Sequence, residues 1–243
     1  MQRILTALMA LIIAVPVAIG AAEPVTITTS DGVILTGLYQ APARTDEPVA
    51  ILLHGLGSSQ GEWSAFAEQL AAQGWGYLSY DARGHGGSTR MTDGATISYR
   101  LFGAPGAGSE WEKMVSDLNA VARFLARRKN IPSAELVLIG ASLGANIALN
   151  WAAAHRDIKA VLLLSPGLNY AGITTEKPVM QCDGMRIAFA AAPTDAYAWF
   201  SSRALYGRIR QNPRAAFFEG TAGHGVQMFD GTFEKGIIAW LRK

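Results

Sequence analysis

The chain has 243 residues, half of them hydrophobic and 16% charged, which is enough to bury a sizeable core as one α/β domain. Its 21 basic and 19 acidic residues leave a formal net charge of +2, so the composition gives no electrostatic reason to expect nucleic-acid binding. The single cysteine, Cys182, excludes an internal disulfide, and the neighbouring Asp183 disfavours a reactive thiolate, so Cys182 is predicted to be structural.

The start of the chain has the pattern of a secretory signal peptide. A basic residue, Arg3, precedes an apolar stretch from Ile4 to Ile19, which is followed by small residues and the polar Glu23-Pro24. The apolar stretch is short for a full membrane span, which favours cleavage over an uncleaved anchor. We therefore expect residues 1–22 to be a signal peptide. Residues 23–243 should form a single exported domain, periplasmic or secreted, with no stable membrane span after cleavage.

Strand and helix patterns then alternate along the chain. Solid apolar runs predict strands buried on both faces, and apolar residues at helical spacing predict helices. The predicted strands are Val25–Thr29, Val33–Tyr39, Val49–Leu53, Trp75–Tyr80, Leu136–Ile139, Ala160–Leu164, Ile187–Ala191 and Ala215–Phe218. The predicted helices are Gly61–Gln73, Glu110–Lys129, Leu143–Ala154, Ala196–Tyr206 and Phe229–Leu241. This order predicts an α/β fold in which a mostly parallel central sheet carries helices on both faces.

Ser142 lies in the segment with the clearest chemical meaning. The sequence Gly140-Ala141-Ser142-Leu143-Gly144 has the form G-x-S-x-G and connects a predicted buried strand directly to a predicted helix. A sharp turn there would raise the serine hydroxyl above the sheet, and the helix N-terminus would favour developing negative charge. We predict that Ser142 is a nucleophile; an ordinary glycine-rich turn is the competing interpretation, which the strand–turn–helix context disfavours.

A serine hydroxyl needs a base to become nucleophilic at neutral pH, and the chain offers four histidines. In a parallel α/β sheet the site forms at the carboxyl ends of the strands. His224 follows the last predicted strand, between glycines, and is the predicted base. His155 ends a helix at the opposite edge of the sheet. His54 and His85 lie at the correct edge but earlier in the chain, and they remain alternatives.

The base in turn needs a carboxylate that orients it. Asp195 follows the predicted strand Ile187–Ala191 at the carboxyl edge and is favoured. Asp81 is also at that edge and is the second choice. Asp157 and Asp183 precede strands and so lie at the wrong edge, and Asp117 is inside a helix.

Two backbone N–H groups are predicted to stabilise the oxyanion of the transition state. Leu143 starts the helix after the nucleophile and supplies one. The loop after the strand Val49–Leu53 should supply the other, from Leu56.

Several motifs together resemble the α/β-hydrolase superfamily, in the form without a large cap domain. His54-Gly55-Leu56-Gly57 resembles its oxyanion turn, Asp81 to Ser88 resembles its D-x-R-G-x-G-x-S segment, and Gly140 to Gly144 resembles its nucleophile elbow. The order Ser142, Asp195, His224 also matches this fold. The resemblance implies that His54, Asp81 and His85 brace loops around the site.

The resemblance also suggests where substrate is covered. Only Ser165 to Arg186 lies where many members insert a helical cap, which leaves room for a short excursion and not a full lid. The long glycine-containing segment Ala82–Ser109 is expected to be functional or mobile. We expect it to roof the site through Tyr99, Leu101 and Phe102.

The sequence therefore predicts a serine hydrolase that cleaves a carboxylic ester or related acyl bond of a small-molecule substrate. No phosphate-binding loop and no zinc-ligand spacing occurs, so neither a cofactor nor a metal is expected. Two alternatives remain open: a serine peptidase or amidase of the same fold, and a binding protein that keeps the fold without catalysis.

Overall fold

A mixed, mostly parallel sheet organises residues 21–243, which are the residues that this computed structural model describes. The predicted signal peptide, residues 1–22, lies outside the described residues apart from Ala21 and Ala22. None of the helices within residues 21–243 combines the length and the apolar character that a membrane crossing needs.

The strands alternate with helices in the predicted order. The strands are β1 (Glu23–Thr28), β2 (Val33–Gln40), β3 (Val49–Leu53), β4 (Gly76–Tyr80), β5 (Arg90–Met91), β6 (Leu136–Ala141), β7 (Ala160–Leu164), β8 (Asn169–Tyr170), β9 (Ile173–Thr174), β10 (Ile187–Ala191) and β11 (Ala215–Glu219). The α-helices are α1 (Ser64–Ala72), α2 (Glu110–Arg128), α3 (Leu143–Ala154), α4 (Glu176–Gln181), α5 (Ala196–Arg208) and α6 (Phe233–Leu241). Short 3-10 helices cover Gln60–Trp63, Tyr99–Leu101, Ser133–Glu135 and Gly225–Met228.

The main sheet has the strand order β1-β2-β4-β3-β6-β7-β10-β11, with β5 paired to β2. In this order, all neighbouring strands from β4 to β11 (β4, β3, β6, β7, β10 and β11) are parallel. Strands β1, β2 and β5 pair antiparallel with their neighbours. Every residue of β3, β4, β6, β7 and β10 is buried, as expected for strands covered on both faces. The predicted α/β fold is confirmed.

The region between β7 and β10 contains a small hairpin, β8–β9, and the short helix α4. The sequence predicted a short excursion here and no full lid, and this is what the structure contains. Cys182 caps α4 and is buried, and burial raises the pKa of its thiol to about 12. This environment is that of a structural cysteine.

The closing helix begins at Phe233, so the predicted start at Phe229 is wrong. Gly231 has a φ of +88°, in the left-handed region, and this interrupts helical geometry. The Asp230 carboxylate accepts hydrogen bonds from the backbone N–H groups of Thr232 and Phe233, at 2.9 Å each. This side chain satisfies donors at the start of the helix and so fixes where α6 begins.

The long segment 82–109 is tied down at its start by Arg83, whose side chain is only 1% exposed. The guanidinium donates to Asp117 of α2 at 2.7 and 2.5 Å, to Asp31 of the β1–β2 turn at 2.9 and 3.1 Å, and to Glu110 at 2.5 Å. Burial works to raise the pKa of Asp31, but hydrogen bonds from Arg83 and Thr29 outweigh it and hold that pKa below its ordinary value. For Asp117, which is more deeply buried, burial prevails and its pKa is raised. Arg83 thereby joins three separate parts of the chain.

Replacing Arg83 by methionine should lower the free energy of unfolding by about 3–5 kcal/mol, because the buried Asp117 would lose its compensating charge. Urea unfolding followed by circular dichroism measures the change. Arg127→Met on the exposed side of α2 is the matched control and should change stability by less than about 0.5 kcal/mol. Equal stabilities of the two variants would show that the Arg83 cluster does not anchor the segment.

Candidate active site

Ser142 occupies the turn between β6 and α3 with a strained backbone. Its φ of 54° and ψ of −121° lie where non-glycine residues are rarely found. A Cβ on Gly140 would lie 2.3 Å from the Gly144 carbonyl oxygen, and one on Gly144 would lie 2.3 Å from the Leu53 carbonyl oxygen. Both positions therefore exclude any side chain. The turn that presents Ser142 is possible only because glycine occupies both places.

The predicted acid and base are brought together by the loops after β10 and β11. Nδ1 of His224 lies 2.5 Å from Oδ2 of Asp195, and their side chains are 39% and 19% exposed. Asp195 is itself held as the N-cap of α5, where its other oxygen accepts from the Ala198 N–H at 3.5 Å. A carboxylate bonded to Nδ1 fixes the imidazole orientation and leaves Nε2 free to accept a proton.

Ser142 and His224 face the same cavity of about 270 Å³. Among residues 21–243, Ser142 Oγ and His224 Nε2 form no direct hydrogen bond. Catalytic hydrogen bonds are often long without substrate and tighten when it binds. The cavity is lined by Gly55, Leu56, Ser58, Glu62, Ala141, Ser142, His224, Gly225, Val226 and Gln227.

The predicted oxyanion donors flank the nucleophile. A Cβ on Gly55 would lie 3.3 Å from the Cβ of Ser142, so the turn that carries Leu56 passes directly beside the serine. The N–H of Gly55 is already used by Glu62 Oε1, at 3.0 Å. Within the described part of the chain, the N–H groups of Leu56 and Leu143 donate to no protein acceptor. Both donors are therefore available to an oxyanion.

The remaining histidines and Asp81 hold loops and do not line the cavity. His54 accepts from the Ala82 N–H through Nε2 at 2.9 Å and contacts the Gly55 carbonyl through Nδ1 at 2.7 Å, and burial lowers its pKa to about 4. His85 lies 2.9 Å from the Arg83 carbonyl oxygen through Nδ1. His155 ends α3, stacked on a tryptophan ring.

Asp81 accepts from the N–H groups of Gln60 and Gly87, at 2.7 Å each, and from the Thr36 hydroxyl at 3.3 Å. Its two oxygens therefore link β2 to the loops that follow β3 and β4. The structure gives Asp81 this bracing position, and it places Asp195 beside His224.

The segment 82–109 does not form the roof that the sequence suggested. None of its residues lines the Ser142 cavity. Tyr99 stacks on His85, with ring centroids 4.1 Å apart, and its hydroxyl approaches Gly57 of the oxyanion turn. Phe102 packs edge-on against Trp111, while Leu101 is 85% exposed. The segment therefore supports the oxyanion turn from the side, because its aromatic residues pack against neighbouring rings instead of over the serine.

Two polar residues of the site carried no recognisable signal in the sequence. Ser165, buried and at a φ of 50°, accepts from the Gly225 N–H at 2.9 Å and so fixes the loop of His224. Glu62 accepts from Gly55, and burial raises its pKa although hydrogen bonds with Ser58 and Gly55 oppose the rise. Neither residue has a spacing that separates it from surface serines and glutamates. Among residues 21–243, no cluster of His, Cys, Asp and Glu side chains could hold a metal ion.

Comparison with known proteins places this geometry in context. The family model described as serine aminopeptidase, S33, matches residues 45–202, which include Ser142 and Asp195. The bifunctional esterase/perhydrolase DCH of Acinetobacter calcoaceticus is 32% identical over 124 residues, covering 47% of this chain and 44% of that protein. The chain thus matches less than half the length of this curated relative.

Solved structures share the fold over nearly the whole chain. The Pyrococcus furiosus esterase Pf2001 superposes with a TM-score of 0.73 at 19% identity, covering 91% of this chain and 90% of that one. The structure of DcsB in complex with its substrate analogue has a TM-score of 0.73 at 14% identity, covering 91% of this chain and 99% of that one. At these identities the likeness shows the fold.

Glu62→Ala should lower kcat/KM by about five- to tenfold, because the turn that carries Leu56 would lose an acceptor worth about 1 kcal/mol. Glu62→Gln keeps an oxygen at the same place and should retain most of the activity. Glu68→Ala, at an exposed position of α1, is the control. If Glu62→Ala kept wild-type kinetics against a chromogenic ester, Glu62 would have no part in shaping the oxyanion turn.

Proposed function

We propose that this chain, which belongs to the serine aminopeptidase S33 family of α/β hydrolases, cleaves carboxylic esters through an acyl-enzyme on Ser142. The observation that carries the proposal is the arrangement at the carboxyl edge of the sheet. There Asp195 is bonded to His224, and His224 shares one cavity with a serine on a strained turn.

The reaction follows from the position of each group. Ser142 Oγ attacks the carbonyl carbon while its proton passes to His224 Nε2, and the negative oxygen accepts from the N–H groups of Leu56 and Leu143. As the carbon–oxygen bond to the alcohol breaks, His224 returns that proton to the leaving oxygen. Water then attacks the acyl-enzyme by the same route and releases the acid.

Ester cleavage is preferred because two of the compared proteins are named as esterases. Amide cleavage is the second candidate, favoured by the name of the family whose model matches. An amide demands more of the site, since its amine leaves less readily than an alcohol. We further propose that the protein acts outside the cytoplasm, on the basis of the predicted signal in residues 1–22.

Purified protein should hydrolyse 4-nitrophenyl esters faster than aminoacyl 4-nitroanilides, because the proposed reaction depends on an alcohol leaving group. Ser142→Ala should lower kcat for the ester by on the order of 10⁶. Ser116→Ala, on the exposed face of α2, should leave it unchanged.

If the protein hydrolysed the anilides faster than the esters, it would be an amidase. If Ser142→Ala hydrolysed the ester at the wild-type rate, an acyl-enzyme on Ser142 would be excluded. Lack of any hydrolysis by wild-type protein, together with normal folding, would favour a binding protein.

A further inference from the structure

Tyr170, in the β8–β9 hairpin, lies beside the base His224, although no sequence motif pointed to it. Its phenol lies near the Ser142 side chain. Its ring also lies against the base, with the Tyr170 and His224 centroids 6.4 Å apart in a T-shaped contact. Tyr170 is thus a third side chain, besides those of the acid and base, that meets the reacting part of the site.

The Tyr170 ring is fixed from two further sides. A Cβ on Gly167 would lie 2.7 Å from ring atoms of Tyr170, so the ring packs directly on the glycine backbone. Tyr197 of α5 makes an edge contact, with centroids 5.5 Å apart. A ring confined in this way loses little freedom when it forms a hydrogen bond to substrate.

The hairpin that carries Tyr170 is itself anchored to the helix of the nucleophile. Asn146 of α3, fully buried, donates to the Ile173 carbonyl at 2.8 Å and accepts from the Gly167 N–H at 3.1 Å. At the hairpin tip, Ala171 and Gly172 have φ values of 49° and 79°, a conformation that is unfavourable for alanine. Strained backbone persists only where the surroundings enforce it, and it often marks functional sites.

The position of Tyr170 indicates which atom of a substrate it would meet. In the sheet, β3 and β7 lie on opposite sides of β6. The oxyanion turn with Leu56 follows β3, whereas the Tyr170 hairpin follows β7 and adjoins His224. The leaving-group oxygen is bonded to the carbon that Ser142 attacks, and it receives its proton from His224. That oxygen therefore belongs on the side of the nucleophile where Tyr170 lies.

The protonation state of Tyr170 suits a donor. Burial raises the pKa of its phenol, as does the nearby charge of Asp195, and the nearby Ser142 side chain opposes this rise only in part. The phenol therefore keeps its proton throughout the neutral range and can donate a hydrogen bond without losing that proton.

We propose that Tyr170 is a further catalytic residue, whose hydroxyl donates a hydrogen bond to the leaving-group oxygen as the ester C–O bond breaks. The proposal rests on the proposed esterase function. The bond from Ser142 Oγ to the carbonyl carbon forms and the bond from that carbon to the alcohol oxygen breaks. The proton on the alcohol comes from Ser142 through His224, and Tyr170 keeps its own.

The test compares Tyr170→Phe with wild type on two esters of the same acid, one with a 4-nitrophenol and one with an ethanol leaving group. Ethoxide develops far more negative charge than 4-nitrophenoxide, so it depends more on a donor. The variant should lose about tenfold more kcat/KM on the ethyl ester than on the nitrophenyl ester. The value of kcat/KM reports only the steps up to departure of the alcohol, so the deacylation step that both esters share does not affect it.

Both kcat/KM values are measured on one preparation, so their ratio does not depend on the fraction of folded protein. A loss of stability therefore cannot change the ratio. Tyr206→Phe is the control, since that ring packs against Phe189 and Phe217 and should leave the ratio unchanged. Equal losses on both esters, or no loss on either, would overturn the role of Tyr170. If wild-type protein cleaved neither ester, the proposed function itself would fail, before any variant is compared.

Discussion

The arrangement of the site depends on one close approach of backbone to backbone. Gly144 lies against the carbonyl oxygen of Leu53, and Gly140 lies against Gly144 itself, at distances that admit no Cβ. This contact joins the ends of β3 and β6 to the start of α3. It forces the strained conformation of Ser142 and sets the nucleophile beside the turn of Leu56. Without it, neither the exposed hydroxyl nor the adjacent pair of N–H donors would exist in this form.

The parallel sheet then determines what can surround the serine. Loops after β3, β7, β10 and β11 all open at the edge where β6 ends, and each brings one kind of group. The first brings an oxyanion donor, the second Tyr170, the third Asp195 and the fourth His224. Buried polar contacts hold the loops in place, for example the bond from Gly225 to Ser165 and the ion pairs of Arg83. Rigid support of this kind allows groups from distant parts of the chain to act on one carbonyl.

Much of this arrangement was predictable from the sequence, since its signals are local. The strands are solid apolar runs, and Gly140 to Gly144 form a motif within a strand–turn–helix context. The roles of Asp195 and His224 could be predicted because the carboxyl ends of parallel strands meet at one edge of the sheet. The start of α6 was predicted too early, because hydrophobic periodicity continues through Phe229 while Asp230 and Gly231 decide the cap.

The remaining features arise from contacts between residues far apart in the chain. Glu62 becomes part of the site by accepting a hydrogen bond from Gly55, Ser165 by accepting one from Gly225, and Tyr170 by packing against His224. No spacing in the sequence encodes these contacts. The roof expected from segment 82–109 was wrong for a related reason, since Tyr99 finds His85 as a stacking partner and packs beside the oxyanion turn.

The proposed chemistry requires that an alcohol side chain becomes a nucleophile at this edge of the sheet. The most direct measurement is acid quenching of the protein during turnover of 4-nitrophenyl acetate, followed by peptide mapping with mass spectrometry. An acetyl group is expected on the peptide that contains Ser142, localised to that serine by fragmentation. Active turnover with the acetyl group on another residue, or with no acylated peptide and no initial burst of nitrophenol, would contradict it.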